Sequence, residues 1–112
     1  MRDFCSSVES VIIKNHPRWQ SGMDVTILLG SSSDLPIAQK CTKILEHFDV
    51  PYQLRVASAH RSPKFVEQIV GDALDDGCSV FIAMAGLAAA LPGAVAALTT
   101  KPVIGVPCGG RV

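Results

Sequence analysis

The chain has 112 residues, 48% of them apolar and 18% charged, with ten basic side chains against ten acidic ones. That is enough chain for one domain with a buried core and too little for two, and the composition excludes general disorder. A net charge of zero leaves no electrostatic footprint for nucleic acid or an anionic membrane, although a small phosphate needs only one or two well-placed Arg or backbone N–H groups.

Residues 1–22 mix Cys, Ser, His, Pro and Trp without periodicity, and Val11-Ile12-Ile13 is too short an apolar run for a secretory signal. They read as an irregular leader, or as a mis-assigned start with Met23 as the true one. Residues 23–112 form the patterned part. Val25 to Leu29 is a β-rich run ending at Gly30, expected as a strand buried on both faces. A helix is expected from about Asp34 to Phe48, capped by Asp34, with Pro36 tolerated in its first turn. Its apolar residues Ile37, Cys41, Ile44 and Phe48, flanked by Ala38 and Leu45, fall on one face. Tyr52 to Val56 reads as a second strand. Ser62-Pro63 opens a second helix with Phe65, Val66, Ile69, Val70 and Ala73 inward, and Gly77 supplies its left-handed exit.

Val80 to Met84 is a third strand, Pro92 to Leu98 a third helix and Pro102 to Val106 a fourth strand. No charge occurs from Val80 to Thr100, about a membrane-spanning length. The stretch is Ala-rich, however, and Leu91-Pro92-Gly93 interrupts it, so it reads as strand plus helix and no membrane span is expected. Strands and helices alternating at this spacing predict an α/β fold, a parallel sheet of four strands wrapped by helices. The last strand is followed only by a short loop, which reads as the front part of a larger domain whose C-terminal part is missing, leaving an uncovered edge.

In such a sheet, ligands bind outside the carboxyl ends of the strands. Three loops reach that edge. Gly30-Ser31-Ser32-Ser33-Asp34 offers hydroxyls and backbone N–H groups at a helix start, which suit a phosphate or equally a plain capping cluster. Ala57-Ser58-Ala59-His60-Arg61 sets an imidazole with an ordinary pKa of roughly 6.5 beside a guanidinium able to grip phosphate bidentately. Ala85-Gly86-Leu87-Ala88-Ala89-Ala90 is small and apolar, a ledge where backbone can approach a flat ring, or simply tight packing. His16 and His47 fit neither role. Cys5, Cys41, Cys78 and Cys108 are scattered, with no CxxC pair and no His at ligand spacing, so neither a disulfide framework nor a metal site is expected. They read as reduced, mostly buried side chains of a cytoplasmic protein.

Four stretches together carry a resemblance: Gly30 to Asp34, Ser58 to Pro63, Ala85 to Gly93, and Leu98 to Pro107. In this order they resemble the class I N5-carboxyaminoimidazole ribonucleotide mutases and, more widely, the aminoimidazole ribonucleotide carboxylases, over about Met23 to Val112. The resemblance implies a flavodoxin-like three-layer α/β/α sandwich, a homo-octamer, and a part in de novo purine synthesis with no cofactor. It implies that Ser31, Asp34 and Arg61 bind the ribonucleotide, with Ser33 and Ser58 around phosphate and ribose and His60 handling protons, while Gly86 is the substrate-binding candidate of the third loop. The partners so implied are a ribonucleotide and carbon dioxide.

Two departures stand out. The family typically has His where this chain has Ala90, and it continues with a further strand and helices. Two other readings stay open on these residues. One is a non-catalytic nucleotide-binding relic of a truncated or split gene. The other is a pyridinium-ring carboxylase of nickel-pincer cofactor synthesis, which lacks that His but fits Ser58-Ala59-His60-Arg61 poorly.

Overall fold

The computed structural model describes residues 13–14, 24–59, 61–86 and 90–108. Five strands, β1 (Ile13–Lys14), β2 (Val25–Leu29), β3 (Tyr52–Val56), β4 (Val80–Ala85) and β5 (Val103–Pro107), lie in one sheet in the order β1-β3-β2-β4-β5. The last four are mutually parallel, as expected. β1 was not foreseen. It runs antiparallel to β3, setting Ile13 opposite Leu54 and Lys14 opposite Gln53. Two residues are too few to leave a periodic trace, and they join the sheet by pairing along the outer side of β3.

Central β2 explains the layering. Its Val, Thr, Ile and Leu side chains are buried at every position, as a strand covered on both faces requires. Leu28 belongs to a cluster with Val66, Ile69 and Val70 of α2 (Pro63–Asp75) and with Leu91 and Val95 of α3 (Ala90–Ala96). Val25, Ile27 and Leu29 point the other way, into a cluster with Ala38 of α1 (Leu35–His47). One helix on one face and two on the other make a flavodoxin-like α/β/α sandwich. Each fully buried Ile or Leu is worth roughly 2 kcal/mol here. The polar pair Thr26 and Gln53, also buried, is satisfied internally, Gln53 Nε2 donating to Thr26 Oγ1 at 3.3 Å.

The helices end where local chemistry demands. Gly77 follows α2 at φ +88°, and the Cys78 N–H closes the exit on the Ala73 carbonyl at 3.0 Å. Asp49 takes the same left-handed role after α1, at φ 56°, with the Val50 N–H on the Leu45 carbonyl at 2.9 Å. α3 begins earlier than expected, at Ala90, and its Pro92 sits in the first turn, where a missing N–H costs no helical bond. The uncharged stretch from Val80 is thus divided into a strand and a seven-residue helix. No helix among the described residues is long and apolar enough to cross a membrane.

Of the inward face expected of α1, Ala38 is buried and Ile37, Cys41 and Leu45 pack half-buried against the core, and only its far end needs correction. Ile44 and Phe48 are 61% and 68% exposed, whereas Ala38 and Thr42 are the buried positions. The helix is rotated so that its small side chains meet the sheet, while the Tyr52 hydroxyl donates to the Glu46 carboxylate beside the contact. At the far side of the sheet β5 is an edge, with Ile104 51% exposed.

Candidate functional site

From central β2 the chain moves to β3 on one side, then crosses to β4 on the other. The loops after β2 and β4 therefore diverge, and a crevice opens between them at the carboxyl edge. The Gly30 N–H donates to the Met84 carbonyl at 3.0 Å, holding the two strand ends together. Beyond it Ser31 is extended, and its Oγ accepts from the Ser33 N–H at 3.2 Å and lies 2.9 Å from Ser33 Oγ. These bonds shape a short 3-10 turn, Ser32–Asp34, which runs into α1. Asp34 stands at the head of α1 but makes no side-chain capping bond, contrary to the sequence expectation. The residue lines the crevice instead.

The loop after β3 is held by Ser58. Its carbonyl accepts from the Ser62 N–H at 2.9 Å and its Oγ from the Arg61 N–H at 3.2 Å. His60 lies outside the described residues. Arg61 is exposed and does not line the crevice. Arg55, on β3, stacks 5.7 Å from the Phe65 ring centroid and secures α2 against the strand.

These loops enclose a hollow of about 150 Å³. Ser31 and Asp34 come from the first loop, Ser58 and Ala59 from the second, and Ala85, Gly86, Ala90 and Leu91 from the third. Of the anticipated site residues, Ser31, Asp34, Ser58 and Gly86 meet there. Ser33 stands behind Ser31, and Arg61 stands outside. Gly86 needs no left-handed backbone, since Gly77 is the one described glycine with positive φ. A larger hollow, about 470 Å³, lies at the opposite end of the sheet beside Leu74, Leu98 and Lys101. It gathers a single charged side chain among the described residues and faces the amino ends of the strands, so the smaller crevice is the better site.

With this geometry in place, comparison with known proteins decides the family. Residues 24–111 match the family described as AIR carboxylase. The chain belongs to that family. Within the AIR carboxylase family it is 56% identical over 88 residues to an N5-carboxyaminoimidazole ribonucleotide mutase of Methanocaldococcus jannaschii, covering 79% of this chain and 54% of that one. It is also 56% identical over 88 residues to a probable N5-carboxyaminoimidazole ribonucleotide mutase of Methanobrevibacter smithii, covering 79% of this chain and 26% of that protein. The crystal structure of Treponema denticola PurE superposes with a TM-score of 0.73 at 32% identity, over 77% of this chain and 55% of that one. The chain thus spans about half the length of the Methanocaldococcus relative, or less for others.

One residue near this AIR carboxylase crevice, outside its lining, was legible in the sequence only as a buried cysteine. Cys108 follows β5, and its N–H donates to the Ala85 carbonyl at 2.8 Å. Its side chain is buried beside the first turn of α1. Burial pushes the Cys108 thiol up, and the Asp34 carboxylate adds to this through its charge and by accepting from the thiol. The available signal was position, because the end of a fourth parallel strand must reach the same edge. Three cysteines, Cys41, Cys78 and Cys108, are free; Cys5 lies outside the described residues. Among the described residues no cluster of three or more potential metal ligands occurs.

Proposed function

We propose that the chain binds an aminoimidazole ribonucleotide in this crevice and serves the carboxylate transfer of de novo purine synthesis. The observation that carries the reading is the meeting of Ser31, Asp34, Ser58 and Gly86 around one hollow in a chain of this family. In this reading Ser31, Asp34 and Arg61 bind the ribonucleotide, with Ser33 and Ser58 around phosphate and ribose, and Gly86 leaves room for the imidazole. The hollow is smaller than the roughly 300 Å³ at which small-molecule sites begin, so these residues enclose part of the nucleotide. Arg61, at the exposed rim, reaches the phosphate, and His60 moves protons.

The chemistry asked of the site follows from the substrate. The carboxylate on the exocyclic nitrogen of N5-carboxyaminoimidazole ribonucleotide departs as carbon dioxide, and that nitrogen gains a proton. The ring carbon then attacks the retained carbon dioxide and loses its own proton, giving 4-carboxyaminoimidazole ribonucleotide with no net gain or loss of atoms. Direct carboxylation of aminoimidazole ribonucleotide uses the second half alone. Holding carbon dioxide beside the ring needs positioning and exclusion of water, and the small apolar residues Ala59, Ala85, Ala90 and Leu91 provide that wall.

A titration by calorimetry of the purified chain with aminoimidazole ribonucleotide tests binding. Wild type is expected to bind, and Arg61→Ala to weaken affinity by about 10- to 100-fold, the worth of a lost charge-assisted phosphate contact. Equal affinities for the two proteins remove Arg61 from the site. A binding-only reading has one observation in its favour, since Ala90 brings no acid or base to the hollow. A turnover assay with N5-carboxyaminoimidazole ribonucleotide separates the two. The mutase names of the relatives speak against the pyridinium-ring alternative.

The remaining parts of the reading are a homo-oligomer, an octamer by family resemblance, in the cytoplasm. The exposed Ile44 and Phe48 at the end of α1 support self-association. An Ile44→Glu, Phe48→Glu double variant that sediments like wild type argues against that patch. Free cysteines support a reducing compartment, and a fluorescent fusion found outside the cytoplasm contradicts this assignment.

A further inference from the structure

We propose that Gly105 is a positioning residue for the crevice: the side chain it lacks leaves room for Pro92, and that contact seats the turn from which Ala90 and Leu91 wall the hollow. The proposal rests on the ribonucleotide reading for what the hollow holds. A Cβ at position 105 would stand 3.2 Å from Pro92 Cβ and 3.3 Å from Pro92 Cγ. Non-bonded carbons settle at roughly 3.5 to 4.0 Å. No other glycine among the described residues meets such an obstacle. A Cβ on Gly30 or Gly86 would come no nearer than 3.7 and 3.9 Å to its neighbours, and Gly71, Gly77 and Gly93 face open space. The backbone does not ask for glycine at 105, since φ there is not positive, and burial does not ask for it either, since β5 is an exposed edge. Glycine weakens a strand and is kept where another element comes close. Here that element is the ring of Pro92.

Strand alternation explains why these two residues meet. Val103 packs with the α2–α3 cluster and Val106 with the α1 cluster, so Gly105 shares the face of Val103 and looks toward α3. Its register partner on β4 is the buried Ala83, and Ala85 stands opposite Pro107. Ala83, Ala85 and Gly105 make a low floor beneath the first turn of α3. Pro92 lies in that turn with its φ locked by the ring. Leu91, just before it, is buried in one cluster with Leu28, Ala83 and Ala85, so the turn cannot tilt without disturbing the core. Ala90 and Leu91 line the hollow. A methyl group at 105 would push the ring by a few tenths of an ångström, and the stiff turn would hand that displacement to both wall residues. Glycine as a mere strand residue makes a different forecast, since Ala would then stabilise the strand and leave the hollow untouched.

The coupling can be read without any ligand. In the full chain with labelled methyl groups, Gly105→Ala is expected to shift the NMR signals of Ala90 and Leu91 and to leave that of Ala38, across the sheet, in place. In a Pro92→Gly background, which lacks both obstructing atoms, adding Gly105→Ala should move neither signal. Unmoved Ala90 and Leu91 methyls in the single variant, or equal movements in both backgrounds, overturn the proposal. Should Gly105→Ala alone fail to fold, the double variant is expected to recover the fold, and one that stays unfolded beside a folded Pro92→Gly also overturns it. With aminoimidazole ribonucleotide as probe, Gly105→Ala is expected to weaken binding about 3- to 10-fold, as a small displacement of the wall requires, and to change nothing further in the Pro92→Gly background. Altered stability in urea with affinity intact would make Gly105 purely structural and overturn its positioning role. Failure of wild type to bind the ribonucleotide counts against the ribonucleotide reading alone, and the methyl signals still decide the role of Gly105.

Discussion

In the proposed reading, Ala90 is the residue where binding and turnover part company. It opens α3 and lines the hollow, half-buried, with Gly86 nearby across the third loop. A methyl group there excludes water but moves no proton. Because the family resemblance expects His at this position, Ala90→His should return a titratable group to the wall facing Ser31 and Asp34. A well-placed general acid or base contributes about 10²- to 10⁴-fold, so even an imperfectly seated imidazole should raise mutase turnover at least about tenfold at pH 7 to 8. Steady-state conversion of N5-carboxyaminoimidazole ribonucleotide measures it, and identical rates would show that this position does not limit the chemistry. At this scale much of the site was legible. Ser31, Asp34 and Ser58 could be brought together on paper because parallel strands deliver their following loops to one edge. Cys108 could not, because its relation to Asp34 depends on which face of the last strand turns toward α1, and no local pattern carries that.

Tyr52 and α1 show how a contact between elements overrides periodicity. The spacing of Ile37, Cys41, Ile44 and Phe48, with Ala38 and Leu45, marks a credible inner face, and its first half packs on the sheet, yet Thr42 is buried where Ile44 and Phe48 are exposed. Small side chains let the helix approach the sheet closely, and the Tyr52 hydroxyl fixes the rotation through Glu46. A hydrogen bond from a strand back to the preceding helix leaves no mark in a hydrophobic pattern, which is why the rotation was missed. The Gly77 exit of α2, by contrast, is local chemistry and could be read directly. The Tyr52–Glu46 contact has a pH signature. Burial, then the bond to Glu46, pushes the Tyr52 phenol up to about 12. The fold therefore favours the neutral phenol. Its contribution is fully present below the unfolded value of about 10 and is lost as pH rises from there through about 12. Urea unfolding at pH 8 and pH 11.5 should show a drop in stability for wild type. Tyr52→Phe should cost about 1 kcal/mol at pH 8 and show a smaller drop between the two. Equal drops in both proteins would place the alkaline loss elsewhere.

For the whole molecule, the site exists only while the sheet does. Ser31 and Asp34 follow β2, Ser58 follows β3, Ala85 ends β4, Gly86 follows it and Ala90 opens α3. No one of these segments presents the hollow alone, so unfolded chain has nothing with which to bind the ribonucleotide. A ligand that binds only the folded state stabilises it by mass action, by about 2.7 kcal/mol at a hundred times its dissociation constant. For a domain of this size each kcal/mol raises the melting midpoint by about 3 to 6 °C, so saturating aminoimidazole ribonucleotide should raise it by about 8 to 16 °C. The rise should grow with the logarithm of ligand concentration and shrink in Arg61→Ala at the same concentration. Imidazole alone should do far less, because the proposed reading has the serine loop and Arg61 hold the phosphoribosyl end. Differential scanning fluorimetry over a concentration series gives all three comparisons. A midpoint indifferent to the ribonucleotide, in a chain whose circular dichroism shows it folded, would mean that the three loops share an edge without sharing a ligand.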